Sequence, residues 1–181
     1  MEMEQGVEQW FAMRVTYQRE LIAKSFFDEV GVESFVPTRM ERRMVASRRR
    51  VCRCSLLHNY IFVRSTRERL DEIKQFSLPY LRYVMHTQNG ERQVMVVPED
   101  QMRNFITVAG SEEEHLRFLD PDTVDLAKGM RVRVTGGLFV GTEGVLMKVV
   151  GARERRVVVK IEGVAAVAAP VIDARLIEPI E

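Results

Sequence analysis

The first half of the chain alternates between segments with the two-residue hydrophobic period of strands and segments with the three-to-four-residue spacing of helices. WFAMRVT (10–16) predicts a strand, and QRELIAKSFFDEV (18–30) predicts a helix that Gly31 ends. The later segments predict, in order, strand SLLHNYIFVRS, helix RERLDEIKQF, strands LRYVMHT and RQVMVV around a turn at Asn89-Gly90, and helix PEDQMRNFI. This order predicts an α+β fold with an antiparallel sheet and flanking helices.

The segment TRMERRMVASRRRVCRC (38–54) has little amphipathic order, and Glu41 alone opposes its arginines. It predicts an exposed arm or hairpin. A run of charge is most often a solvated face, but a guanidinium fork also suits phosphate. Contacts with DNA or RNA phosphates would give affinity and orientation rather than sequence choice. The candidate phosphate-binding residues here are Arg39, Arg42, Arg43, Arg48, Arg49 and Arg50.

The second half changes composition twice. Residues 109–126 are acidic with few periodic apolar positions, which predicts a linker. After them come short strands such as MRVRVT, EGVLMKVV, RRVVVKIE and AAVAAPV, which predict a small β-barrel. The predicted domains are therefore 1–108, a linker over 109–126, and a barrel over 127–181.

A glycine-rich stretch inside that barrel, KGMRVRVTGGLFVGTEGVLMKV (128–149), invites comparison with a phosphate-binding loop. Such a loop needs a lysine before its Ser or Thr and a helix after it. No lysine precedes Thr142, and the following residues are strand-like. We therefore expect corners of a barrel, with Phe139 as an apolar anchor, and no nucleotide site.

Composition narrows the classes of function. The 181 residues carry a net charge of +1, so overall charge indicates no partner, and no apolar run reaches about 18 residues. The N-terminal MEMEQGVEQW is unlike a secretory signal, and Cys52 and Cys54 fit a reduced C-x-C pair, so we expect a cytoplasmic protein without membrane association. His58 is the only other metal-ligand candidate near them, and no histidine falls in a catalytic motif. We expect no metal, no cofactor, no catalytic residue and no enzymatic activity.

Two motifs in order resemble one family. GMRVRVTGGLFVGTEGVL resembles the KOW motif through Gly129, Gly137, Phe139, Gly141, Gly144 and Val145. Upstream, LLHNYIFV stands where NusG-type proteins carry a Phe-Pro-Gly/Asn-Tyr-x-x-Val strand and resembles it, with a basic arm before it as in that family. Together they resemble a NusG-like transcription elongation factor, an N-terminal NusG domain followed by an SH3-like KOW barrel. Asn59-Tyr60-Ile61-Phe62 is closer to the specialised paralogues of the RfaH type and the antiterminators of polysaccharide operons.

The resemblance implies that the N-terminal domain grips the clamp helices of RNA polymerase through an aromatic-lined depression. The matching positions are Tyr60, Phe62, Tyr83, Val97 and Arg14, where Arg14 replaces an aromatic residue of some paralogues. Each tyrosine or phenylalanine could equally be an ordinary core residue. Near the first helix, where specialised paralogues read exposed non-template DNA, this chain has Tyr17, Arg19 and Lys24.

The resemblance also implies partners for the barrel, either a small-subunit ribosomal protein or the termination factor Rho. Glu162 stands near an apolar docking position of the family, which argues against Rho binding. The predicted function is therefore processive elongation or antitermination, of a specific operon such as one for surface polysaccharide. The alternatives are a housekeeping NusG-type elongation and termination factor, and a ribosome- or RNA-binding KOW protein.

Overall fold

The computed structural model describes residues 6–170 and 172–181. The chain divides into two compact units, Met1–Glu99 and Asp100–Glu181. Most of the acidic N-terminus, residues 1–5, lies outside the described residues, and so does Val171 of the predicted strand AAVAAPV. No helix in the described ranges has both the length and the apolar character needed to cross a membrane.

Among its described residues, the first unit has nine strands and two α-helices. In chain order they are β1 Gln9–Val15, α1 Glu20–Glu29, β2 Ser34–Phe35, β3 Thr38–Val45, β4 Arg48–Ser55, β5 Tyr60–Ser65, α2 Arg67–Phe76, β6 Leu81–Tyr83, β7 Met85–Gln88, β8 Glu91–Val94 and β9 Val96–Val97. The predicted antiparallel α+β arrangement is confirmed. The predicted strand over 55–65 forms only from Tyr60 onward, because the chain turns at Asn59 with a positive φ of 66°.

The main sheet of this unit has five strands in the order β2-β5-β1-β6, with β9 also pairing with β1. Helices α1 and α2 pack on one face of it, where Ala23, Phe27 and Leu70 meet the sheet residues Met13 and Ile61 in one buried cluster. Ala23 and Phe27 are four residues apart, so α1 presents both on the same side. The Thr66 hydroxyl caps α2 by accepting a hydrogen bond from the Arg69 amide at 3.3 Å.

The predicted basic arm is a separate two-stranded hairpin, β3–β4. Its turn residues Ala46 and Ser47 both have positive φ, 47° and 63°, the combination that matches the twist of a two-residue hairpin turn. The second hairpin, β7–β8, turns at Asn89-Gly90 as predicted.

The second unit begins within helix α3, Glu99–Ala109. It continues with β10 Arg117–Leu119, β11 Met130–Val134, β12 Glu143–Lys148, β13 Arg155–Ile161, β14 Ala165–Ala168 and β15 Ile177–Pro179. These strands form one antiparallel sheet in the order β10-β14-β13-β12-β11-β15. The strands of the expected barrel are confirmed, and closure into an SH3-like barrel stays a prediction.

Part of the predicted acidic linker is built into this sheet. Strand β10 pairs with β14, with Arg117 opposite Ala168 and Leu119 opposite Ala166. The buried Arg156 guanidinium donates to the carbonyl oxygens of His115 and Ala169 at 3.1 and 3.0 Å. Its charge therefore ties the segment before β10 to the end of β14. The predicted domain boundaries at 108 and 126 stay predictions.

Candidate functional site

The register of the first sheet sorts the predicted polymerase-contact residues onto two faces. Directly paired residues of antiparallel strands share a face. Arg14 pairs with Tyr60, and Ala12 pairs with Phe62, so Arg14, Tyr60 and Phe62 lie on one face. Val97 pairs with Trp10 and belongs to that face too. Tyr83 pairs with Met13 and therefore lies on the opposite face, which the helices cover.

The predicted contact residues on the first face differ in solvent exposure. Phe62 and Val97 are 0% and 2% exposed, so both are core residues as the chain stands. Tyr60 is half-buried and Arg14 is exposed. Arg14 Nη2 donates a hydrogen bond to the Tyr60 hydroxyl at 3.1 Å, and the guanidinium carbon lies 5.4 Å from the centre of the Tyr60 ring. The accessible part of this predicted site is thus an arginine–tyrosine pair.

Tyr83 belongs to a network that fastens α2 to the sheet. Its hydroxyl donates to Asp71 Oδ1 at 2.9 Å, while Lys74 Nζ and the Arg67 guanidinium carbon lie 4.0 and 4.5 Å from its ring centre. Burial, followed by the Asp71 carboxylate, raises the pKa of Tyr83. Burial alone would raise the pKa of Asp71, but hydrogen bonds from Tyr83 and Lys74 lower it further than burial raises it. These contacts account for Tyr83 by structure alone, and its predicted role toward polymerase stays a prediction.

A second arginine–tyrosine group lies where β1 ends and β6 begins. The Arg19 guanidinium carbon is 5.5 Å from the ring centre of Tyr17 and 5.0 Å from that of Tyr80. Tyr17 is 83% exposed, and both it and Gln18 have positive φ, 63° and 53°. Positive φ in consecutive non-glycine residues is a costly backbone state that clusters at functional sites. This bend holds an exposed ring beside a cation, an arrangement suited to stacking on a nucleobase.

Lys24, which was also predicted to contact nucleic acid near the first helix, is paired within α1. Its ammonium forms an ion pair with Asp28 one helical turn later. The pair is partly exposed, so it contributes little to stability. It nevertheless leaves Lys24 less available to a phosphate than Arg19.

The β3–β4 hairpin also has two distinct faces. The face that we call the cysteine face carries Arg39, Glu41, Arg43, Val45, Arg48, Arg50, Cys52 and Cys54; the face that we call the open face carries Met40, Arg42, Met44, Arg49, Val51 and Arg53. On the cysteine face, Glu41 accepts hydrogen bonds from Arg43 at 2.9 Å and from Arg39 at 3.4 Å. The hydrogen bond from Arg43, and after it the one from Arg39, lowers the pKa of Glu41, so this carboxylate is ionised at neutral pH.

The other arginines of the hairpin are uncompensated. Within the described residues, none of their side chains has an ion pair, a hydrogen bond or a ring contact, and all are exposed. They are Arg42, Arg48, Arg49, Arg50 and Arg53. The structure therefore confirms the exposed arm and leaves most of its charge available to an anionic partner.

A cleft of about 160 Å³ joins the root of the hairpin to the start of α1. Gln18, Glu20, Arg43, Cys54 and His58 line it. Glu20 is 2% exposed and its carboxylate accepts the backbone N–H of Asn59, which fixes the turn before β5. Burial raises the pKa of the Cys54 thiol, so this cysteine is a thiol and not a thiolate at neutral pH. Among the described residues no cluster of His, Cys, Asp and Glu could hold a metal ion.

Comparison with protein families gives the decisive match. Residues 8–106 fit the family model described as "NusG: Transcription termination factor nusG". The chain belongs to the NusG family.

Two further comparisons accompany that match. The solved structure "Domain interaction in Thermotoga maritima NusG" is similar over 96% of this chain and 98% of that chain, with 20% sequence identity and a TM-score of 0.42. Comparison with curated protein sequences gave no match.

In the second unit of this NusG-family chain, the glycines predicted for a KOW motif occupy positions that disfavour a side chain, two because of crowding and two because of backbone conformation. A Cβ on Gly129 would lie 2.2 Å from Val145 Cγ1, and one on Gly144 would lie 2.8 Å from the Val158 carbonyl oxygen. Gly137 and Gly141 have positive φ of 78° and 83° at the two ends of the loop. Phe139 and Val145 are buried, at 6% and 8% exposure. The structural interpretation of these glycines is consistent with this geometry, and the KOW identity stays a prediction.

Two residues that lie beside the arginines of these predicted sites, Tyr80 and Arg82, were not themselves predicted from the sequence. Tyr80 stacks on Arg19, and Arg82 lies in register beside Arg14 on the same face. The signal was available in the run PYLRY, where aromatic and basic residues are interleaved. The prediction of a strand accounts for the same residues without a binding role.

Proposed function

We propose that this NusG-family chain is a transcription elongation factor that binds the clamp helices of RNA polymerase through the Arg14–Tyr60 pair of its first unit. It acts without catalysis, in the cytoplasm, by favouring processive elongation. The observation that carries the proposal is the exposed Arg14–Tyr60 pair, at 3.1 Å, on a sheet that falls within the NusG match. Arginine and tyrosine are, with tryptophan, the side chains enriched at binding hot spots.

The same pair explains how Arg14 can stand where some paralogues have an aromatic residue. Its guanidinium lies over the Tyr60 ring, so the two side chains together present apolar ring surface beside a positive charge. Such a surface can pack on a helix and pair with an acidic residue of that helix.

Nucleic acid of the transcription complex is the second proposed partner. The uncompensated arginines of the hairpin supply charge, and Tyr17 with Arg19 supplies an exposed stacking group. Both features belong to the first unit. Clamp binding and nucleic-acid binding would therefore reinforce each other as two contacts on one body.

For the second unit we propose docking to a small-subunit ribosomal protein rather than to Rho. Glu162 is 80% exposed in the loop between β13 and β14 and pairs with Lys160 at 3.1 Å. An ion pair there must be dehydrated if an apolar partner is to dock, which costs free energy. This supports the specialised antitermination role over the housekeeping one.

The test uses two double variants that remove the same groups from opposite faces. Arg14→Ala with Tyr60→Phe removes a guanidinium and a phenol hydroxyl from the proposed site, and Arg67→Ala with Tyr83→Phe removes them from the helix-covered face. We expect the first to weaken binding to a purified clamp-helix fragment about tenfold, as for a moderate hot spot, and the second to bind like wild type. Equal binding by both variants would contradict the site. Co-sedimentation of the wild type with ribosomes but not with polymerase would favour the ribosome-binding alternative.

A further inference from the structure

The two faces of the β3–β4 hairpin differ in what surrounds them. The cysteine face turns its root toward α1, because Arg43 and Cys54 line the cleft that Gln18 and Glu20 also line. Its arginines are partly neutralised by Glu41. The open face carries no acidic residue, and none of its side chains lines this cleft.

The open face is a checkerboard of apolar and cationic side chains. Three successive cross-strand pairs join one of each kind: Met40 with Arg53, Arg42 with Val51, and Met44 with Arg49. Met40, Met44 and Val51 are 54%, 64% and 60% exposed. Three apolar side chains exposed to this extent on one short ribbon indicate a binding surface, and the uncompensated arginines between them favour an anionic partner.

We propose that the open face binds the groove of duplex DNA, with the arginines on the phosphates and the methionines and valine against the base edges. This rests on the proposed function, because it names the partner of the same arm. A two-stranded ribbon fits the major groove of B-DNA, which is roughly 12 Å wide. The eight residues of β4 extend for about 26 Å along such a groove.

The composition of the hairpin favours a duplex over a single strand. Single strands are bound by aromatic rings on which successive bases stack. The sequence from Thr38 to Ser55 contains no Phe, Tyr, Trp or His. Methionine and valine cannot stack in this way, but they can contact thymine methyl groups or wedge against base steps. Double-stranded RNA is disfavoured because its major groove is too deep and narrow for a ribbon.

The test compares two charge-matched double variants on the same strand. Arg49→Gln with Arg53→Gln changes the open face, and Arg48→Gln with Arg50→Gln changes the cysteine face. Each lowers the net charge from +1 to −1, and all these side chains are exposed and unpaired within the described residues. Binding of the full chain to a 30-base-pair duplex is measured from about 50 to 200 mM salt, the range over which phosphate contacts weaken.

We expect the open-face variant to bind the duplex about 10- to 100-fold more weakly at 100 mM salt, with the slope of log K against log[salt] reduced by about 2. In the cysteine-face variant, the slope should be reduced by less than about a third of that amount. A third variant, Met40→Ser with Met44→Ser, should weaken binding by about threefold or more at an unchanged salt slope, because it removes apolar contact and no charge.

Several outcomes would overturn the proposal. The first two are an equal loss of duplex affinity in the two arginine variants and an unchanged duplex affinity in the methionine variant. The others are wild-type binding to single-stranded DNA, duplex RNA or an acidic polypeptide that equals or exceeds binding to the DNA duplex, and no binding of the wild type to the DNA duplex. All variants are also tested on the clamp-helix fragment, where binding should be unchanged. A wild type that fails to bind the fragment but binds duplex as expected refutes the proposed function and leaves the open face standing. Unchanged thermal unfolding midpoints show that the variants are folded.

Discussion

Phe62 provides the sharpest distinction between a core residue and an interface residue in this chain. The sequence resemblance places it in a partner-binding depression, but the side chain is 0% exposed and lies between Ala12 and Phe35 on neighbouring strands. Replacing a fully buried phenylalanine by alanine costs about 3–5 kcal/mol, because it removes buried apolar surface and leaves a cavity. Domains of this size have about 5–15 kcal/mol of stability in total. Phe62→Ala should therefore lower the unfolding midpoint by roughly 15 °C or more.

The matched control is Phe76→Ala, at a phenylalanine that is 77% exposed near the end of α2. This control should change the free energy of unfolding by less than about 0.5 kcal/mol. Urea unfolding is followed by the fluorescence of Trp10, the single tryptophan, which is 3% exposed on the same face of the sheet as Phe62. If Phe62→Ala keeps the stability of the wild type to within about 1 kcal/mol and loses clamp-helix binding, the burial argument fails and Phe62 is a contact residue.

Two further predictions concern stability. Tyr83→Phe should cost about 0.5–1.5 kcal/mol at pH 7 by removing the hydrogen bond to Asp71. Because the pKa of Asp71 lies below its usual value, the difference from wild type in urea unfolding should shrink as the pH falls through that lowered pKa, and a difference that does not shrink in acid would contradict this assignment. Gly144→Ala should destabilise the second unit by about 1–3 kcal/mol, since its Cβ would lie 2.8 Å from the Val158 carbonyl oxygen. Gly136→Ala is the control, because its Cβ would meet only the flexible end of a leucine side chain, and it should lower the stability measured by calorimetry by less. Equal losses of stability in the two variants would refute the steric argument.

The sequence by itself predicted most of the first unit. Periodicity placed β1, α1 and α2, and the arginine-rich segment was expected to be an exposed arm or hairpin. These are properties of consecutive residues, so local pattern and charge determine them. The turn glycines of the second unit were also predictable, because Gly137 and Gly141 adopt a backbone conformation that other residues rarely adopt.

The tertiary structure alone decided which residues share a face and which are buried. Tyr60, Phe62 and Tyr83 look alike in the sequence, yet register places Tyr83 on the other side of the sheet and burial removes Phe62 from solvent. Likewise, nothing local in the acidic stretch predicts that β10 finds a partner in β14, almost fifty residues later. Strand pairing and burial depend on residues far apart in the chain, so they are fixed only when the whole sheet forms.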